Sequence, residues 1–336
     1  MSRPRASVLL PVKDAEATLP ACLQSLAWQT EGDYELLAVD DGSRDGSRAL
    51  LERAAARDRR IRILTRDGPP DLVQALELAR REARAPYLLR MDADDVAHAR
   101  RLELQARTLD LDPRVVAVGS LVRSFPAEAV TQGRLRYDRW LNGLRTHAAM
   151  ARERFVESPL AHPSVLLRAQ AVEEVGGYRS LDGPEDYDLW LRLLGAGGRL
   201  SKVPRTLLFW REGEDRASRT DPRYRAEGFA RVRAEAIAAL VGPRPVCLVG
   251  AGTARRRLAR QLLERGVQVQ AFWELDPKKV GRAPYGVPVL AHADGVRERG
   301  DALVLSCVNA WGARQRVRAW LREAGLEEGR EFFLAG

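Results

Sequence analysis

The chain has 336 residues, 45% hydrophobic and 30% charged, with a formal net charge of +9. That is enough polypeptide for two domains with proper cores, and an ordinary globular composition rather than a disordered one. Only Lys13, Lys202, Lys278 and Lys279 are lysines, so 51 of the 55 basic residues are arginines, scattered through expected helices beside acidic residues. This is the pattern of solvated helix surface and argues against a nucleic-acid groove, while the excess still suits an anionic substrate or membrane surface.

In chain order, Ser7–Pro11 reads as a buried parallel strand, followed by a helix over 15–29. Strands at 34–39, 60–64 and 87–91 alternate with helices near 47–56 and 72–83. Alternation at this spacing predicts an α/β fold, a mostly parallel sheet with helices on both faces, in which ligands bind outside the strand carboxyl ends. The stretch 120–185 is less regular, with helices at 137–144 and 169–175 and a strand at 164–167. Helices at 185–194 and 222–240 follow. Val241-Gly242-Pro243-Arg244-Pro245 then breaks the chain, and strands at 246–249, 268–273 and 302–306 with a last helix at 310–324 form a second βαβ unit. Domains are therefore expected at 1–241 and 244–336.

Cys22, Cys247 and Cys307 lie far apart in apolar contexts, without metal-ligand spacing, and read as buried free thiols. The first strand starts by Ser7 with no long apolar leader, and no stretch has the length needed to span a bilayer. A cytoplasmic protein is expected, with peripheral association at the inner face of the membrane as an added option.

Three acidic clusters carry the chemistry. Met91-Asp92-Ala93-Asp94-Asp95 follows an apolar strand. Such a D-x-D pair on an extended exit sends both carboxylates to one side and suits a Mg²⁺ or Mn²⁺ ion on a diphosphate. Asp40-Asp41-Gly42-Ser43 reads by itself as a strand-to-helix turn, but with the D-x-D run downstream it becomes a nucleotide contact. Glu185-Asp186-Tyr187-Asp188 fits a first helical turn, where acids complement the helix dipole, and offers a carboxylate for general-base work.

Taken together, Ser-Val-Leu-Leu-Pro-Val at 7–12, Val-Asp-Asp-Gly-Ser at 39–43, Arg-Met-Asp-Ala-Asp-Asp at 90–95, His-Pro-Ser-Val at 162–165 and Glu-Asp-Tyr-Asp-Leu-Trp-Leu-Arg at 185–192 resemble a family 2 glycosyltransferase of the GT-A fold. The resemblance covers about two thirds of the chain. It implies that Pro11 and Asp40 or Asp41 border the nucleoside of a UDP- or dTDP-type sugar donor. It also implies that Asp92 reaches the ribose or metal-bound water, that Asp94 ligates Mn²⁺ or Mg²⁺, and that Asp186, beside Glu185, is the base of an inverting transfer to a hydroxyl of a glycan or lipid-linked acceptor. Arg211 and Arg219 are candidates for the diphosphate, and His162, Trp140 and Asn142 for the acceptor. One departure stands out: Arg66-Asp67-Gly68-Pro69-Pro70 replaces the glycine- and Arg-Asn-containing stretch of many family members, so no role transfers from that segment.

The C-terminal part resembles a small Rossmann-like domain. Gly250 and Gly252 match two of the three fingerprint glycines, Arg255 stands at the third, and Glu274 ends the next strand where it would meet ribose hydroxyls. NAD(P) or another nucleotide there competes with a bare scaffold. Two rival functions remain at this level. A nucleotidyltransferase would release pyrophosphate but lacks its Gly-rich loop after the first strand. A catalytically degenerate nucleotide-sensing or scaffold protein would act through residues 244–336.

Overall fold

The computed structural model describes residues 3–213, 216–250 and 252–336. The chain divides into two compact units, one of residues 1–147, 159–180 and 196–219, the other of 148–158, 181–195 and 220–336.

The first unit is built on a mixed sheet of eight strands: β1 (Ala6–Val12), β2 (Tyr34–Asp40), β3 (Ile61–Thr65), β4 (Tyr87–Arg90), β5 (Val96–Ala97), β6 (Val115–Phe125), β7 (Leu166–Arg168) and β8 (Arg199–Arg211). Their order is β3-β2-β1-β4-β7-β6-β8-β5. The run β3-β2-β1-β4 is parallel, as the alternating strands and helices predict. β7 is antiparallel to both β4 and β6, and β6 pairs parallel with β8. Every residue of β1 and β2 is buried, which is why both read as continuous apolar runs.

β5, β6 and β8 are the strands of this sheet that the sequence reading lacks. β8 contains Pro204, which argues against a strand on paper. In the sheet the register jumps from Ser120↔Val203 to Leu121↔Thr206, so Pro204 sits in a bulge where no ladder N–H is required. The first helix runs over Leu19–Ala27 rather than 15–29, because Pro20, lacking a backbone N–H, sits in its first turn.

Lys202 on β8 is only 5% exposed, its ammonium donating to the Leu141 carbonyl at 2.7 Å and the Pro159 carbonyl at 3.3 Å. Burial pushes it down to about 7. An unfolded lysine holds its proton to about pH 10, so between pH 7 and 10 the unfolded state binds more protons and stability rises with pH. Lys202→Met should flatten that rise, which amounts to a few kcal/mol at most across this pH window. Urea unfolding of both proteins at several pH values checks this; parallel curves would contradict it.

The second unit holds an all-parallel sheet of β9 (Val246–Val249), β10 (Val269–Glu274), β11 (Val289–Ala291), β12 (Leu303–Ser306) and β13 (Phe332–Leu334), in the order β11-β10-β9-β12-β13. Its core gathers more than the segment after residue 244. Phe155, Tyr187 and Leu191 pack with Val232, Ile237, Val246, Leu248 and Phe333. The helix Glu185–Gly195 thus belongs to this unit, as does the helix Ala226–Val241.

Candidate active site

The register of the first sheet opens a crevice. β1 pairs with β4 only as far as Leu9↔Arg90, whereas it stays with β2 to Val12↔Asp40. The strand order also reverses at this point, since β2 and β3 lie to one side of β1 and β4 to the other. Open α/β sheets bind ligands at such a switch point. Pro11 falls in the stretch that has lost its β4 neighbour. Gly42 has φ +76, a conformation glycine adopts freely, and it turns the chain after Asp41. Backbone N–H groups of Asp14, Ala15 and Glu16 donate to the side chains of Ser43, Ser47 and Asp45, tying the two loops of the crevice together.

Asp40 and Asp41 are both buried but differ in what they hold. Asp41 accepts from Arg66 Nε at 2.9 Å and from the Asp71 N–H at 2.7 Å, so both its oxygens are engaged. Asp40 accepts the Ser43 N–H at 3.1 Å through Oδ1, and its Oδ2 has Arg48 at 3.9 Å. Arg66 comes from the segment to which the sequence assigns no role, and the fold brings it to the crevice through Asp41.

The acidic run is curled rather than extended. The Asp95 N–H donates to the Asp92 carbonyl, and Asp92, Asp94 and Asp95 each bring a carboxylate oxygen within 4.8 Å of the others. Alternation along an extended strand selects Asp92 and Asp94; the turn adds Asp95. Asp92 is paired with Arg90 at 2.6 Å. Fully buried Arg101, held down to about 9 by burial, donates to the Arg90 carbonyl at 2.7 Å. Asp94 is nonetheless raised to about 6, by burial first and then by the charge of Asp92. Burial, Asp92 and Asp94 push Asp95 well up as well. Asp95 Oδ1 accepts the Arg211 N–H at 2.7 Å, while its Oδ2 is buried without a hydrogen-bond partner among the described residues. Three converging carboxylates, repelling one another and leaving a buried oxygen unpaired, are a donor set that fits a hard divalent cation.

The segment after β8 meets this cluster. Arg211 donates to the Asp94 carbonyl at 2.7 Å and lies over Phe125, so it braces the acidic turn. Glu212, with a side chain only 2% exposed, pairs with Arg134 at 2.7 Å, with Arg219 at 2.7 Å and with Arg216. Arg134 and Arg216 lie over the Trp210 ring at 3.9 and 4.7 Å. Of the three, Arg216 is close enough to lower both Asp94 and Asp95 electrostatically. Nothing in the sequence distinguishes Arg216 among 51 arginines. Removing one partner of a buried ion pair strands the other, so Glu212→Ala should cost roughly 3 kcal/mol of stability. Arg219 is 44% exposed, and Arg219→Ala should cost less than about 1 kcal/mol. Equal shifts in thermal unfolding would show that Glu212 does not organise this segment.

The helix Glu185–Gly195 lies in the second unit. Glu185 is buried and accepts the Tyr224 hydroxyl at 2.7 Å, whereas Asp186 is half-buried and accepts the Tyr187 N–H at 2.7 Å. His162 is buried, its Nε2 at 3.0 Å from the Tyr178 hydroxyl. Asn142 clamps the Val122 N–H and carbonyl, each at 2.9 Å, which is a role in holding β6. Trp140 is half-buried against the core, its ring 5.9 Å from Tyr137.

In the second unit, Gly250 and Gly252 precede the helix Thr253–Leu263, at a turn where Gly250 has φ +109. The remaining pieces do not fit a dinucleotide. Arg255 lies over Phe272 and pairs with Glu274 at 3.1 Å, both side chains buried. The residue at the third glycine position thus engages the carboxylate that a ribose would need.

The glycosyl transferase family 2 model matches residues 7–176, just over half of the chain. EpsE of Bacillus subtilis strain 168, a glycosyltransferase by name, is 29% identical over 227 residues, covering 66% of this chain and 78% of its own. The amylovoran biosynthesis glycosyltransferase AmsE of Erwinia amylovora is 28% identical over 214 residues, 62% of this chain and 77% of its own. Among solved structures, Staphylococcus aureus TarS 1–349 in complex with UDP-GlcNAc superposes with a TM-score of 0.54 at 17% identity, over 77% of this chain and 71% of that one. The mannosyltransferase PcManGT of Pyrobaculum calidifontis, in complex with GDP-Man and Mn²⁺, superposes with a TM-score of 0.53 at 17% identity, over 98% and 83%. These likenesses agree with the α/β architecture that the strand pattern predicts and with the GT-A fold that the motif resemblance implies. With the crevice, the acidic turn and the family match in agreement, the chain belongs to glycosyl transferase family 2 and is a glycosyltransferase.

Proposed function

We propose that the protein transfers a sugar, with inversion and with the help of Mg²⁺ or Mn²⁺, from a nucleoside-diphosphate sugar to a hydroxyl of a glycan or lipid-linked acceptor. The observation that carries this reading is the convergence of Asp92, Asp94 and Asp95 at the β1/β4 crevice, with Asp95 Oδ2 buried and unpaired among the described residues. Asp94 and Asp92 would hold the cation together with Asp95, and the cation would neutralise charge on the leaving diphosphate. Arg216, presented by Glu212, adds a second positive group on that side, with Arg219 beside it; Arg211 acts by bracing the acidic turn.

Pro11 and Asp40 border the nucleoside. Asp40 is the better acceptor for a base imide N–H, because Asp41 already holds Arg66, whose own N–H groups suit a base carbonyl. This donor and acceptor pair supports a UDP- or dTDP-type donor. On the acceptor side Asp186 takes the proton from the attacking hydroxyl as its oxygen bonds to the anomeric carbon and the bond to the diphosphate breaks. No protein nucleophile is needed. Glu185, fixed by Tyr224, sets the start of the base helix. Trp140 remains the candidate for stacking on an acceptor sugar, and His162 acts through packing.

In this reading residues 1–241 carry the transferase machinery and 244–336 form a Rossmann-like scaffold. No described helix is long and apolar enough to cross a membrane. A place at the inner face of the membrane, serving a lipid-linked acceptor in polysaccharide biosynthesis, agrees with the positive net charge. A panel of nucleotide sugars assayed for metal-dependent hydrolysis tests the proposal without an acceptor. Release of a nucleoside diphosphate supports it; release of pyrophosphate, or no metal-dependent turnover on any donor, overturns it.

A further inference from the structure

The geometry points to a lipid-docking loop in the second unit: residues 275–286, between β10 and β11, present an apolar and basic surface that fits the face of an anionic phospholipid bilayer. The inference deepens the membrane-face reading above, but its test needs no sugar transfer, so the two can fail separately.

Leu275 is 71% exposed, Tyr285 54% and Val280 39%. One exposed leucine on a surface is ordinary, whereas three large apolar side chains on one short loop call for a partner. Lys278, Lys279 and Arg282 are interleaved with them, and half of the lysines of the chain lie here. Lys278 and Arg282 make no ion pair among the described residues, while Lys279 faces Asp276 at 3.5 Å and Glu274 at 4.0 Å.

The loop is tied at its base. Gly281 N–H donates to the Val289 carbonyl at 2.9 Å, and the Val289 N–H donates to the Arg282 carbonyl at 2.8 Å. Tyr285 has φ +58, a left-handed conformation rare for a bulky residue. The fold therefore carries local strain while keeping this ring outside. A phenol with an apolar body and polar tip suits the headgroup level. Leu275 and Val280 suit the acyl boundary, and Lys278 and Arg282 the lipid phosphates. A dinucleotide is a poorer occupant for this edge of the sheet, since Glu274 is already neutralised by Arg255.

The test is co-sedimentation of the full chain with vesicles of phosphatidylcholine alone and of phosphatidylcholine mixed with phosphatidylglycerol. Binding is expected to the anionic vesicles only and to weaken with salt. Lys278→Glu with Arg282→Glu should lower the partition coefficient at least roughly tenfold. Leu275→Ser with Tyr285→Ser should lower it by a similar factor even at low salt, on the order of tenfold. Both doubles should keep the melting temperature of the parent, because the side chains are exposed. As a second readout, Ala283→Cys supplies the single accessible thiol, since Cys22, Cys247 and Cys307 are all buried. An environment-sensitive dye at that thiol should shift to the blue on the anionic vesicles. Absence of vesicle binding, binding that both doubles retain, or a dye shift that instead follows protein concentration without lipid would overturn the proposal.

Discussion

Asp94→Asn is expected to abolish metal-dependent turnover of the sugar donor, by roughly a thousandfold or more, while the protein stays folded. The same variant should gain stability in the absence of metal. Asp94 is raised to about 6 by burial and by Asp92, so the folded state binds more protons than the unfolded chain between about pH 4 and 6. Its stabilising contribution is complete below about pH 4 and is lost as pH rises through 6. At neutral pH the charged carboxylate therefore costs the metal-free protein on the order of 3 kcal/mol, which Asn removes. Thermal unfolding should show Asp94→Asn above the parent without metal, and Mn²⁺ raising the parent but not the variant. A variant with full donor hydrolysis, or one that Mn²⁺ stabilises as much as the parent, would remove Asp94 from the metal site.

Asp186→Asn should act on the opposite half of the reaction. Amide in place of carboxylate cannot take the acceptor proton, so kcat for transfer should fall by about 10³–10⁴. Donor affinity and metal binding should be unchanged within a factor of about two, as for loss of an interaction made only in the transition state. Tyr224→Phe probes the support. It leaves buried Glu185 without its hydroxyl donor and should lower kcat far less than Asp186→Asn does. If Asp186→Asn instead raises the donor KM and spares kcat, the base assignment is wrong.

Much of this arrangement is legible in one dimension, for stated reasons. β1, β2 and β4 are buried on both faces, so they read as unbroken apolar runs, and the polar residues that end them stand out. Asp40, Asp41, Asp92 and Asp94 are visible because a parallel sheet puts every strand exit on one edge. β6 and β8 escape because one is buried on both faces for only part of its length and the other carries Pro204 inside a bulge. Asp95 escapes because period-two logic holds only while the chain is extended, and here it turns. Arg216, Glu212 and Arg66 escape for another reason: their roles come from contacts with residues distant in the chain. Glu212 is one acid among 46 until Arg134, Arg216 and Arg219 close around it.

The chain's own order of residues thus determined the fold class, the strand-end acids and the family, because burial period and strand exits are local properties of a polypeptide. Only the tertiary structure decided which carboxylates share a centre, which arginine faces them, and that Glu274 is already paired with Arg255. Each of those depends on distances between segments far apart in sequence, and charge pairing acts through space rather than along the chain.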